Sequence, residues 1–155
     1  MSTAIKYLWN KASEAEIVGH LLCCDSSFVP SLSSRVEIDD YAQKIVSKAM
    51  RFEAWSGRML IGLVAAYCND YEKYAAYITS VSLLKSWTGR GIAVCLVRQC
   101  IEYAKVLGMR QISLNVASDN MPAIKLYGKC GFIAGKANNL FITMTQHLEF
   151  GYCYE

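Results

Sequence analysis

Ser82-Leu83-Leu84-Lys85-Ser86-Trp87-Thr88-Gly89-Arg90-Gly91-Ile92-Ala93 is the stretch from which the fold is read. An apolar run from Ala75 to Leu84 enters it and predicts a strand. A short glycine-bearing turn follows, and the turn opens a helix from Gly91 to Leu107. Within that helix Ala93, Leu96, Val97, Cys100, Ile101, Ala104 and Leu107 recur at helical spacing, while Arg98, Gln99, Glu102 and Lys105 fall elsewhere on the wheel. Gly108 is a natural stop. Strand, turn and helix in this order leave several backbone N–H groups unpaired at the positive end of a helix dipole. Such an end binds anions, phosphate above all. Beyond the helix, Gln111 to Val116 alternates Ile112, Leu114 and Val116 as a strand does. A strand–helix–strand unit of this kind implies a right-handed crossover and a parallel pair.

The flanks supply antiparallel neighbours. Ile5 to Trp9 reads as a first strand. Ser13 and Glu16 form a capping box ahead of Ile17, Val18, Leu21 and Leu22, in a helix that ends near Cys24. Asp25 to Arg35 is serine-rich and irregular and predicts a loop. Glu37 to Met50 reads as a second helix with Ile38, Tyr41, Ala42, Ile45 and Ala49 on one side. Arg51 to Trp55 and Arg58 to Tyr67 flank Ser56-Gly57, which suits a tight hairpin. Asp119 or Asn120 caps a short helix ending near Gly131, with Pro122 in its first turn. Phe132 to Ala134 and Leu140 to Gln146 make a last hairpin around Asn138-Asn139. The order β-α-α-β-β-β-α-β-α-β-β predicts a single α/β domain over residues 1–155. Its sheet is mixed and mostly antiparallel, with one parallel splayed pair and about four flanking helices.

At 155 residues, 54% hydrophobic and 19% charged, the chain suits one packed core. A net charge of +3 is too small to argue for a nucleic-acid partner. Its distribution is uneven: 8 Lys/Arg against 9 Asp/Glu up to Leu84, then 8 against 4 from Lys85 onward. The basic excess lies with the anion-binding turn. The seven cysteines form no C-x-x-C pair, and His20 and His147 are far apart, so no metal site is expected. Reduced thiols predict a cytoplasmic protein. Met1 to Lys6 lacks a signal-peptide core, and the longest apolar run, Met59 to Tyr67, is too short for a membrane span.

About thirty residues after the turn, in the range of one α/β unit, comes Asn120-Met121-Pro122-Ala123-Ile124-Lys125-Leu126-Tyr127-Gly128-Lys129-Cys130-Gly131-Phe132. The two blocks together resemble the cofactor half of the GNAT acyltransferases, over about Ala75 to Phe132. That family's phosphate loop, Arg/Gln-x-x-Gly-x-Gly/Ala, falls on Thr88 to Ala93. Gly91 and Ala93 match and Thr88 departs, which leaves Arg90 to supply charge. A nucleotide-binding turn of the P-loop kind is disfavoured by the missing Gly-Lys-Ser/Thr ending.

The resemblance implies acetyl-CoA as co-substrate and no metal. It implies that Val81, Ser82 and Leu83 pair with the pantetheine arm as an added strand. Thr88, Gly89, Arg90, Gly91, Ile92 and Ala93 would hold the pyrophosphate, and Asn120 would bond the arm. The Leu83 backbone N–H would stabilise the oxyanion, and Tyr127 would protonate the departing sulfur. The general base is left open, because Tyr74 to Trp87 holds no carboxylate. Glu53, Asp70 and an ordered-water relay are the candidates, and a cysteine–histidine pair would need a cluster the sequence does not suggest. The acceptor side, about residues 13–70, offers Phe28, Arg35, Tyr67, Asn69 and Asp70 for a small-molecule primary amine. Protein amines are an alternative acceptor, and a non-catalytic acyl-CoA-binding module is the rival. A monomer and a homodimer are both compatible with the sequence.

Overall fold

The computed structural model describes residues 4–138 and 140–148. The elements are β1 (Ile5–Trp9), α1 (Glu14–Cys24), α2 (Ile38–Lys48), β2 (Met50–Ser56), β3 (Met59–Asp70), β4 (Ala75–Leu83), α3 (Ile92–Val106), β5 (Gln111–Ala117), α4 (Met121–Lys129), β6 (Ile133–Ala137) and β7 (Phe141–His147). Short 3-10 turns occupy Asp25–Ser27, Leu32–Ser34 and Lys85–Trp87. The strands form one sheet in the order β1-β2-β3-β4-β5-β7-β6. Every neighbouring pair is antiparallel except β4–β5, the parallel pair set by the α3 crossover.

The predicted capping box is present: Ser13 Oγ accepts from Glu16 N at 3.1 Å, and Glu16 Oε1 accepts from Ser13 N at 2.9 Å. Asn120, not Asp119, caps α4. Several boundaries differ from expectation, and β3 runs on to Asp70, past the expected end at Tyr67. Helix α2 stops at Lys48, because Ala49 turns extended and Met50 already pairs with Ala66. The β2–β3 turn is Gly57-Arg58 rather than Ser56-Gly57, since Ser56 pairs with Met59 and Gly57 takes the left-handed φ of +59°. In the last hairpin the strands begin at Ile133 and Phe141, and Asn138 Oδ1 accepts from Leu140 N at 2.8 Å and Phe141 N at 2.7 Å. Asn139 lies outside the described residues.

The sheet has two covered faces. Phe52, Ile61, Val64, Ile78 and Ile112 pack under α3 and α4, with Leu96, Val97, Cys100 and Tyr127. Trp55, Leu60, Leu63 and Ala65 pack under α1 and α2, with Ile17, Leu21 and Ile45. Strand β3 is therefore buried on both sides and reads as a continuous apolar run rather than an alternation. Each fully buried aliphatic side chain there contributes about 1.5–3 kcal/mol.

Glu53 on β2 is fully buried and ties this core to the start of α1. Its carboxylate accepts from Lys11 N, Ala12 N and Trp55 Nε1 at 3.0–3.2 Å, and Arg51 Nε lies 3.4 Å away. All its acceptor capacity serves the fold. As a candidate general base it is corrected: it has no solvent exposure and does not line the cleft that opens between β4 and β5.

The feature that positions the site is the parting of β4 from β5. Their parallel ladder has only the rungs Ala75–Gln111, Ala76–Ile112 and Tyr77–Ser113. Opposite β3 the register jumps from Ala66–Ile78 to Ala65–Ser80, so Thr79 is a bulge. Beyond the bulge β4 keeps β3 as its partner and β5 keeps β7, and a wedge opens between them.

Candidate active site

The wedge is a cleft of about 650 Å³ that runs from the acceptor-side loop after α1 to the N-terminus of α3 and the inner face of α4. At its α3 end the sequence prediction and the geometry meet. Gly89 and Gly91 have φ of +81° and +77°. No side chain caps α3, and its first intrahelical bond is Cys95 N to Gly91 O at 3.1 Å. The amides of Ile92, Ala93 and Val94 precede that bond and point out of the helix end. A Cβ at Gly91 would meet nothing within 4 Å, so the left-handed backbone, not crowding, demands glycine, and the space before the amides is open. Thr88 is absorbed by the turn: its Oγ1 donates to Lys85 O at 2.8 Å. The Arg90 guanidinium stacks 4.7 Å from the Trp87 ring centre and does not line the cleft.

The β4 edge is the long wall. Leu84 N donates to Ile61 O on β3 at 2.8 Å. Strand alternation therefore turns the N–H groups of Leu83 and Val81 to the other edge, where β5 has withdrawn. Tyr127 on α4 closes the far wall. It is 9% exposed and meets Phe132 edge-on at 6.1 Å. Burial raises its pKa well above the ordinary phenol value, so the hydroxyl stays protonated across the neutral range. Asn120 lines the cleft and also caps α4, its Oδ1 accepting from Ala123 N at 3.3 Å. That bond leaves the amide NH₂ as a donor.

On the acceptor side the structure separates the predicted residues. Phe28 and Arg35 line the cleft; Tyr67, Asn69 and Asp70 do not. Asn69 and Asp70 end β3 at the closed end of the wedge, and Asp70 is used by its own turn, accepting from Lys73 N at 3.1 Å. Tyr67 lies behind the wall, its hydroxyl buried beside Thr79 without a hydrogen bond of ordinary geometry.

Other residues complete the lining. Thr79, Ser80 and Cys24 are among them, and Tyr41 OH supports the bulge at 2.7 Å from Thr79 O. His20 sits directly behind Ser82. The His20–Cys24 spacing of four residues was the available sequence signal, since it puts both on one helix face. Arg35 and Lys129 are the charged side chains of the lining, and among the described residues no Asp or Glu belongs to it. Among the described residues no three His, Cys, Asp or Glu side chains gather as metal ligands, and no helix is long and apolar enough to cross a membrane.

The sequence profile of the acetyltransferase (GNAT) family matches residues 7–132. The chain is 30% identical over 86 residues to the N-alpha-acetyltransferase MAK3 of Arabidopsis thaliana, covering 55% of this chain and 45% of that one. It is 29% identical over 87 residues to the mycothiol acetyltransferase of Corynebacterium glutamicum, covering 56% and 29%. The chain thus spans less than half the length of these curated relatives. The yncA structure from Salmonella typhimurium, solved with its cofactor acetyl-CoA, superposes with a TM-score of 0.75 at 16% identity, over 94% of this chain and 95% of that one. With a family match over most of its length and the same fold as its solved neighbours, the chain belongs to the acetyltransferase (GNAT) family.

Proposed function

We propose that the protein transfers an acetyl group from acetyl-CoA to the primary amine of a small molecule. The observation that carries this reading is the single cleft in which the amides at the α3 N-terminus, the unpaired β4 edge and the Tyr127 side chain face one another. Those amides and the surrounding basic half of the chain suit a pyrophosphate. The Val81 and Leu83 amides suit the amides of a pantetheine arm and, at Leu83, a developing oxyanion. The co-substrate supplies an activated thioester, so no enzyme nucleophile is required. In this reading Tyr127, which lines the cleft and is held protonated by burial, gives a proton to the departing sulfur.

The lining argues for the acceptor class. A cleft with Arg35 and Lys129 and without carboxylates disfavours polycationic amines and suits a monoamine that is neutral elsewhere or carries an anionic group for Arg35. N-terminal amines of proteins are the second reading, favoured by the likeness to the Arabidopsis N-alpha-acetyltransferase. The cysteines that the structure describes are all free thiols, which supports a reducing compartment such as the cytoplasm. The test is release of free thiol from acetyl-CoA against a panel of monoamines, amino acids, polyamines and N-terminal peptides. Turnover of monoamines or amino acids supports the small-molecule reading; turnover of peptides alone overturns it.

A further inference from the structure

His20 is a buried titratable group, 4% exposed, that the mechanism above leaves unused. Both its ring nitrogens are engaged: Nδ1 lies 2.9 Å from Leu60 O and Nε2 lies 2.8 Å from Ser82 Oγ. A carbonyl oxygen only accepts, so Nδ1 carries the hydrogen. The neutral ring then presents a lone pair at Nε2, and the Ser82 hydroxyl donates to it. This orientation leaves the lone pairs of Ser82 Oγ for a donor arriving from the cleft, whose wall Ser82 forms. Ser82 and Ser80 share the sheet face of Leu63 and Ala65, the face covered by α1 and α2. That is the side on which Phe28 and Arg35 also lie, away from the α3 and α4 helices.

We propose that Ser82 and His20 form the relay that removes the proton from the acceptor nitrogen. The inference rests on acetyl transfer taking place in this cleft, and it fills the role that the sequence left without a carboxylate. As the C–N bond forms, the N–H proton passes to Ser82 Oγ while the Ser82 proton passes to His20 Nε2. The C–S bond breaks, its electron pair goes to sulfur, and Tyr127 supplies the sulfur's proton. Exchange with water then returns a proton to Tyr127 and takes one from the imidazolium, so the net products are amide and free thiol.

The surroundings of the ring fit a base rather than a permanent cation. The groups that face it are the Leu60 carbonyl on β3, the Ser82 hydroxyl on β4 and, on its own helix, the Cys24 thiol 3.7 Å from Nε2. Burial pushes the Cys24 thiol up to about 11, so it is neutral too. Burial lowers the His20 pKa from the ordinary 6.5 and outweighs the smaller upward effect of its bond to the Leu60 carbonyl. The imidazole is thus neutral, and able to accept, throughout the neutral range.

The experiment is a pH profile of acetyl transfer to one fixed amine by the wild type, Ser82→Ala and His20→Gln, with the acetyl-CoA melting shift recorded for each. The expected result is a loss of about 10²-fold in kcat for both variants at neutral pH. Their KM for acetyl-CoA and their melting shifts stay as in the wild type. The inflection below pH 6.5 disappears from kcat/KM, leaving only that of the amine. Should His20→Gln not fold, Ser82→Ala decides the matter alone. A variant that keeps the wild-type rate and profile overturns the relay while leaving acetyl transfer intact. A wild type that releases no thiol with any amine overturns acetyl transfer, and the relay with it.

Discussion

Replacing Gly91 by valine tests the anion-binding end of the cleft, and the structure separates its two consequences. Gly91 sits at φ +77° with no protein atom within 4 Å of where a Cβ would stand. The substitution therefore costs backbone strain and no packing clash. Holding a non-glycine residue in the left-handed region costs about 1–2 kcal/mol. At about 2–4 °C per kcal/mol for a domain of this size, the unliganded melting temperature falls by roughly 2–8 °C. Gly57 is the matched control, with φ +59°, equally open surroundings and a place in the β2–β3 turn outside the cleft lining. Gly57→Val carries a similar strain. The ligand response then distinguishes the two. Acetyl-CoA at about a hundred times its Kd stabilises the wild type by roughly 2.7 kcal/mol, a rise of about 5–11 °C by the same conversion. Differential scanning fluorimetry with millimolar acetyl-CoA reads both effects. Gly57→Val keeps the rise. Gly91→Val loses it, because the added methyls fill the approach to the Ile92, Ala93 and Val94 amides. A Gly91→Val variant with the full rise would refute the idea that these amides hold the phosphates.

The remaining predictions address single residues. Tyr127→Phe lowers kcat by about a hundred-fold or more with KM for acetyl-CoA unchanged, and steady-state kinetics showing no change would remove its role as acid. Glu53→Gln strips the charge from a buried pair with Arg51 and lowers stability by about 3 kcal/mol; urea unfolding measures this, and the folded fraction keeps its kcat because Glu53 takes no part in the chemistry. Arg35→Ala raises KM for a carboxylate-bearing amine far more than KM for acetyl-CoA, and equal effects on both would count against Arg35 as an acceptor contact. The buried His20 is neutral in the fold and its pKa lies below 6.5, so the unfolded chain takes up the proton first. Its contribution is complete above pH 6.5 and is lost as pH falls from there through the folded pKa, with a slope of up to about 1.4 kcal/mol per pH unit. Urea unfolding between pH 7.5 and 5 shows that slope in the wild type and a shallower one in His20→Gln.

The C-terminal half was legible because its signals are local. A strand, two left-handed glycines, a capped helix with Pro122 near its start and a stop at Gly108 each act within a few residues, and their order fixes the parallel pair. The acceptor side was less legible because its geometry depends on register. The Thr79 bulge decides that Ser80 and Ser82 face α1 and α2, and nothing in the run Ala75 to Leu84 marks the bulge. The same register leaves Tyr67, Asn69 and Asp70 off the cleft. Glu53 illustrates the converse. A carboxylate in an apolar strand looks like chemistry, yet the Lys11 and Ala12 amides that it accepts from lie 42 and 41 positions away in sequence, and only the folded chain brings them to it. His20 and Ser82 are 62 positions apart in sequence and meet only because α1 crosses β4.

The most direct test of the account is the time course of free thiol released from acetyl-CoA by the purified protein, with and without a monoamine acceptor, followed by mass analysis of the acceptor. The account predicts thiol release that depends on the amine, stops when the amine is exhausted, and matches one acetyl group gained per thiol. Tight acetyl-CoA binding with thiol release that no amine accelerates would contradict it and would make the chain an acyl-CoA-binding member of its family.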